Sequence, residues 1–192
     1  MKRSRQGQEK GIASLELALI LPWLLIMVFW IIDFGRLMQA SLIVTNVSRE
    51  GGSIVSRSFN SGQNLLDMLV ASGSPLNLNG SGRIYVTRIA AGTSPSHRNP
   101  TIDTQFSRGS LGVTSSTSTQ RFGLTNAIYQ HLRYRETDPD TGAQQNTSDI
   151  AEVWIVEVYY LYSPITPLPN FIQNLVITPG YNGRVIGSRA VF

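Results

Sequence analysis

The stretch from Gln8 to Arg36, "QEKGIASLELALILPWLLIMVFWIIDFGR", decides the architecture of this chain. From Leu17 to Ile32 every residue is apolar or Pro22, and counted from Ile12 the run is 21 residues long. As an α-helix that is about 31 Å, enough to cross a bilayer. Lys2, Arg3, Arg5 and Lys10 precede the run and Asp33 follows it. The positive-inside rule therefore keeps the N-terminus in the cytoplasm and sends residues 33–192 across the membrane. A cleavable secretory signal fits poorly. The run exceeds the signal core of about 7 to 15 residues, and no A-x-A site follows it, "LMQAS" being the nearest sequence.

Glu16 is the anomaly in this stretch. An ionised side chain in a spanning helix costs about 2.5 to 3.5 kcal/mol at mid-bilayer and less near the interface, so a partner has to be named. Lys10, six residues back, is the plain structural partner near the headgroups. A sharper alternative begins at Gly11, a small residue between a basic leader and an apolar helix. A cut after Gly11 creates a cationic amine on Ile12, and Glu16, four positions on, shares its helical face about 6 Å away by rise. In a packed bundle the cation can equally belong to a neighbouring subunit.

Composition bounds the remaining possibilities. With 192 residues, 42% hydrophobic and 15% charged, the chain has material for one anchor and one folded domain. Its net charge of +4 lies mainly in the leader: residues 1–11 hold four basic residues against Glu9, a net +3, which leaves +1 for the rest. Beyond the leader the arginines are scattered singly, without the aromatic-interleaved patch that tracks phosphates, so nucleic acid is not an expected partner. Cysteine is absent, which removes disulfides, thiolate catalysis and Cys-ligated zinc. The two histidines, His97 and His131, lie in separate segments.

A basic leader, Gly11, then Ile12-Ala13-Ser14-Leu15-Glu16 opening an apolar helix resembles the type IV pilin class of prepilins. The longer stretch "GIASLELALILPWLLIMVFWIIDFGRLMQASLIVTNVSREGG" resembles more closely the TadE-like family of minor pilins or pseudopilins of tight-adherence (Tad, Flp) pilus systems. Its marks are Glu16, Pro22, the Asp33-Phe34-Gly35-Arg36 exit and Arg49-Glu50-Gly51, over residues 7 to about 57. Ile12 departs from the Phe or Met common after the cut in pilins at large. "VEVYYLYSPITPLP", 156–169, is similar to the later part of TadE-like proteins. The resemblance implies cleavage between Gly11 and Ile12 by a membrane aspartyl prepilin peptidase, and a role for Glu16 in subunit registration. It also implies partners among other Tad pilins and the inner-membrane assembly platform. Residence would be single-pass in a bacterial inner membrane, with the C-terminal domain periplasmic and, after assembly, extracellular in the pilus.

Beyond Asp33 a stripe of Leu37, Ala40, Val44, Val47, Gly51 and Ile54 continues the helix. Gly51 and Gly52 are expected to mark its weakening or end, with Asn60 or Ser61 capping the next helix, 63–71, whose Leu65, Leu66, Leu69 and Val70 face a core. Residues 83–90 read as a half-buried strand, 98–120 as an exposed polar loop, and 122–133 as a helix with Leu124, Ile128 and Leu132 on one side. The strongest strand is 150–162, with Trp154, Val156, Val158, Tyr160 and Tyr162 on its apolar face and Glu152 and Glu157 near the other. The chain ends in a strand, 183–192, of the same sheet. A long helix followed by an antiparallel sheet gives an α+β class: an N-terminal transmembrane helix packed on a small antiparallel sheet. The domains are a leader (1–11), a spanning helix (12–32), a helical extension (33–58) and an exported globular domain (59–192).

Little points to catalysis. There is no G-x-S-x-G elbow, H-E-x-x-H or Gly-rich phosphate loop, and no cofactor is expected. "RETDPDTG" places Asp138 and Asp140 beside a glycine as a calcium candidate, but the EF-hand spacing fails and a hydrophilic turn is the stronger reading. The expected function is a minor pilin or pseudopilin acting as structural subunit or assembly primer. The alternatives are an uncleaved, membrane-tethered periplasmic binding module and a tethered enzyme.

Overall fold

The computed structural model describes residues 4–57, 62–142, 144–166 and 177–192, with side chains from residue 12 onward except at 144–147. Helix α1 runs Ser4–Val55. Its 44 residues from Ile12 contain, among the described residues, the one helix long and apolar enough to cross a membrane. In hydrocarbon every N–H and C=O must be bonded within the segment, and a helix meets that demand except where a proline removes a donor. Pro22 lies inside it, so the carbonyl of Ala18 lacks its usual intrahelical donor.

The chain divides into two compact units, Met1–Gln39 with Ser163–Arg184, and Ala40–Tyr162 with Val185–Phe192. The second contains a four-stranded sheet ordered β2-β1-β5-β6, formed by β1 (Gly82–Ala90), β2 (Thr101–Arg108), β5 (Glu152–Tyr162) and β6 (Arg184–Val191). β1 is antiparallel to both β2 and β5. Trp154 and Phe192 exchange both backbone hydrogen bonds, at 2.8 and 2.9 Å, which makes β6 antiparallel to β5. A hairpin of β3 (Arg135–Thr137) and β4 (Gln144–Thr147) stands apart. The α+β class read from the sequence is the one found.

The 3.6-residue stripe decides which side of α1 is covered. Ala40, Val44, Val47, Gly51 and Val55 are buried, while Leu42, Asn46 and Arg49 point outward. Val44, Val47 and Val55 join Leu65, Leu66 and Leu69 of α2 (Gln63–Ser72), Leu78 of α3 (Leu78–Ser81), Ile84 and Val86, and Trp154, Val156 and Val158 in one cluster. Each fully buried Val or Leu here contributes about 1.5 to 3 kcal/mol relative to exposure. α2 starts behind Gly62, without a side-chain cap; Asn60 and Ser61 lie outside the described residues.

Gly51 and Gly52 do not end the helix. A Cβ on Gly51 would sit 3.0 Å from both Leu69 Cδ1 and Val156 Cγ1, and one on Gly52 would enter the Phe192 ring. These glycines cost helix propensity, about 1 kcal/mol each, but let α1 approach α2 and the sheet closely. Behind them Ser48 Oγ and Ser188 Oγ, 2.8 Å apart, join α1 to β6.

The opposite face of the sheet is covered too. Ile89, Ala91, Val153 and Ile155 pack beneath Leu124 and Leu132, the latter on α4, Asn126–Leu132, which is shorter than the expected 122–133 helix and capped by Thr125. β5 is therefore buried on both sides over most of its length, and the two acids do not share a face. Glu157 is fully buried, and Glu152 shares the Trp154 face, accepting from the indole N–H at 3.0 Å.

The segment 98–120 is likewise not one exposed loop. Its first half is β2, an edge strand whose mostly polar side chains are solvated. The second half holds buried Ser115 and Thr117 in a 3-10 turn, Ser116–Ser118. There Ser115 Oγ and Ser116 Oγ donate to the Glu157 carboxylate, joined by Ser116 N–H at 3.1 Å and the Tyr159 hydroxyl at 3.3 Å. Gln105 Nε2 extends the network to Thr87 Oγ1 at 2.8 Å and Thr117 Oγ1 at 2.9 Å. A buried carboxylate is tolerated because donors replace its water. Burial, and then the Glu157 charge, push the Tyr159 phenol above its ordinary range.

Two substitutions test this packing. Gly51→Val overfills the junction of α1, α2 and β5 and is expected to lower unfolding free energy by about 1 to 3 kcal/mol, read by chemical denaturation of the detergent-solubilised chain. Glu157→Ala takes the acceptor from buried Ser115 and half-buried Ser116, and the carboxylate from Arg189. A comparable loss of about 1 to 3 kcal/mol is expected, and wild-type stability in this variant contradicts the assigned network.

Candidate functional site

The Gly11–Ile12 bond lies within α1, and Glu16 follows Ile12 by four positions, which is about 6 Å of rise on one helical face. From Ile12 to Ile32 the side chains are exposed apart from half-buried Ile26 and Phe29, so the apolar circumference is presented almost whole. Glu16 is exposed within it. Among the described residues no ion pair involves Glu16, and the side chain of Lys10 lies outside them.

At the other end of the apolar run the acid is placed differently. Trp30 and Phe34 stack with ring centroids 5.7 Å apart, and Asp33, which precedes Phe34 in sequence, is buried. Its carboxylate accepts from Ile165 N–H at 3.1 Å, Thr166 N–H at 3.3 Å and the Thr166 hydroxyl. Sequence reasoning took Asp33 only as the end of the span and a family mark. Its partners stand over 130 residues away, and no local pattern announces them.

Several other titratable groups serve as structural contacts within the folded domain. Asp138 accepts from Asp140 N–H and Thr141 Oγ1, both at 2.8 Å, and Gly142 follows with a left-handed φ of 68°. The Asp140 backbone bond, with help from Thr141, holds the Asp138 carboxyl below the usual carboxylate range. Both residues of the calcium candidate therefore belong to one turn, and among the described residues no group of three His, Cys, Asp or Glu could hold a metal ion. His131 Nδ1 lies 2.7 Å from Asp149 Oδ2, which also receives Arg135 at 3.1 Å.

On the edge of the sheet Arg88 meets Asp103 at 3.0 Å, donates through Nε to Glu152 at 2.7 Å and lies over the Trp154 ring. Burial alone would raise the Glu152 carboxyl, but the bonds from Trp154 and Arg88 outweigh it and bring it below its ordinary value.

Among the described residues the long helix is thus the one element whose exposed surface is apolar over a membrane-spanning length. The model of the family described as TadE-like protein matches residues 11–53, and no curated protein and no solved structure matches the chain. The match begins at Gly11 and stops two residues short of the end of α1. The resemblance read from the sequence is borne out over the helix that carries it, and links this chain with Tad pilus proteins through residues 11–53.

Proposed function

We propose that this chain is a minor pilin or pseudopilin of a Tad pilus, a structural subunit or assembly primer whose work is packing and not turnover. The observation that carries this reading is the coincidence of the TadE-like match with α1, a helix apolar on all sides in its first half and amphipathic in its second. Residues 1–11 are the cytoplasmic leader and 12–32 the inner-membrane span. Residues 33–58 extend the helix into the periplasm, and 59–192 supply the exported domain.

Prepilin peptidase cuts between Gly11 and Ile12. The start of the matched stretch at Gly11 supports that position. Other Tad pilins and the inner-membrane platform then take the mature helix, whose lipid contacts are replaced by helix-helix packing. Glu16 exchanges an interfacial setting for the terminal amine of a neighbouring Ile12, and that pair sets the register, because a one-turn slip of about 5.4 Å separates the charges. The sequence restricts the choice of cation: Lys10 is the last lysine, so a chain beginning at Ile12 has its α-amine as its sole amino group.

Glu16→Ala, expressed in the native host, is expected to insert and be processed as wild type does. Its incorporation into pili or pilus-base complexes is expected to fall at least about tenfold, since removing one partner of a buried pair costs about 3 to 5 kcal/mol. Undiminished incorporation contradicts the registration role.

A further inference from the structure

The bonds on Asp33 fix more than a turn. Asp33 follows Ile12 by 21 positions, about 31 Å of helix, one hydrocarbon thickness, so a span that begins at Ile12 leaves Asp33 at the far boundary of the bilayer. The backbone N–H groups of Ile165 and Thr166 reach its carboxylate at 3.1 and 3.3 Å. A chain hydrogen-bonded at that distance shares the depth of its acceptor. Ile165 is nonetheless 63% exposed, and Phe34, next to Asp33, is 49% exposed. Neither apolar side chain is covered by the fold at a level where lipid is the surrounding medium. The sequence agrees: Ser163 to Thr166 contains no Asp, Glu, Lys, Arg or His, and such a segment meets the headgroup boundary without a charge to desolvate.

We propose that the Pro164-Ile165-Thr166 segment is a second membrane contact of this protein. Ile165 and Phe34 insert side by side at the headgroup and acyl boundary on the exported side, and Asp33 is the positioning residue that holds the segment there. The contact rests on the spanning role proposed for α1. The partner is the lipid surface, because continuity with the apolar span, through a carboxylate that is buried and multiply bonded, fixes the depth. On this account the bonds on Asp33 hold the chain that follows β5 at the membrane, next to the end of the span.

The absence of cysteine makes the test direct, since each single-Cys variant takes one label. The full chain is reconstituted in phosphatidylethanolamine/phosphatidylglycerol vesicles with a polarity-sensitive fluorophore at Ile165→Cys, Phe34→Cys, Leu24→Cys within the span, or Ser96→Cys in an exposed turn of the folded domain. The label at 165 is expected to be blue-shifted as at 34 and quenched by nitroxide lipids carrying the spin near the headgroup. Water-like emission at 165 with lipid-like emission at 24 overturns the contact while leaving the span intact. Water-like emission at 24 overturns the spanning reading and the contact with it. A blue shift at 165 that disappears when the protein is diluted in lipid overturns the contact in favour of one between copies. In the Asp33→Ala background the 165 label is expected to move toward water-like emission while the label at 24 stays unchanged. A 165 label that does not move overturns the positioning role of Asp33.

Discussion

A single hydrogen-bonded helix has to satisfy two surroundings along its length. Between Ile12 and Ile32 the side chains of α1 are apolar on nearly every side and nearly all exposed, whereas from Ala40 to Val55 one stripe is buried and the rest is mostly polar, with Leu42 exposed and Ile43 and Ile54 half-buried. The change of pattern falls at Asp33-Phe34-Gly35-Arg36, where charge first reappears. Backbone bonding is indifferent to the change, which is why the helix crosses it unbroken; the side chains alone register the medium. The sheet depends on this arrangement, because the stripe of Val44, Val47, Gly51 and Val55 supplies one side of its larger core.

Three acids show what that arrangement asks of a carboxylate. Glu157, sealed inside the folded domain, is surrounded by hydroxyls and a backbone N–H. Asp33, buried at the helix exit, takes backbone N–H groups and a threonine hydroxyl. Both accept hydrogen bonds from distant parts of their own chain, and Glu157 also has the Arg189 guanidinium 3.9 Å away. Glu16 has neither arrangement among the described residues. Its position on an exposed apolar helix makes sense when the missing partner arrives from another subunit, and that contrast is the physical ground for reading α1 as an assembly element.

Periodicity made much of this legible. The span, the stripe on α1, the short helix at Leu65 to Leu69 and the strands at 82–90, 152–162 and 184–191 are legible in their apolar residues and spacing, although β5 is buried on both faces. What stayed hidden was whatever depends on partners far away in sequence. β2 reads as loop because an edge strand keeps its polar side chains in water. Ser115 and Ser116 look like part of a solvated run, yet they are the donors for a glutamate some forty residues on. Gly51 and Gly52 look like a helix end to any propensity scale, and only the nearness of Leu69, Val156 and Phe192 shows why the helix keeps them. For the candidate site the position of Glu16 was readable, because a charge in an apolar run is conspicuous; the bonds that Asp33 makes were not.

The account stands or falls on the chemical start of the helix. The most direct measurement is labelling of the protein from native membranes with an amine-reactive mass tag under denaturing conditions, followed by mass spectrometry of the intact chain. The account predicts a chain that begins at Ile12 and takes up one tag, on its α-amine, since no lysine follows Lys10. A chain that retains Met1 to Gly11 and takes up tags on Lys2 and Lys10 contradicts it, for the carboxylate of Glu16 would then have no new amine to meet.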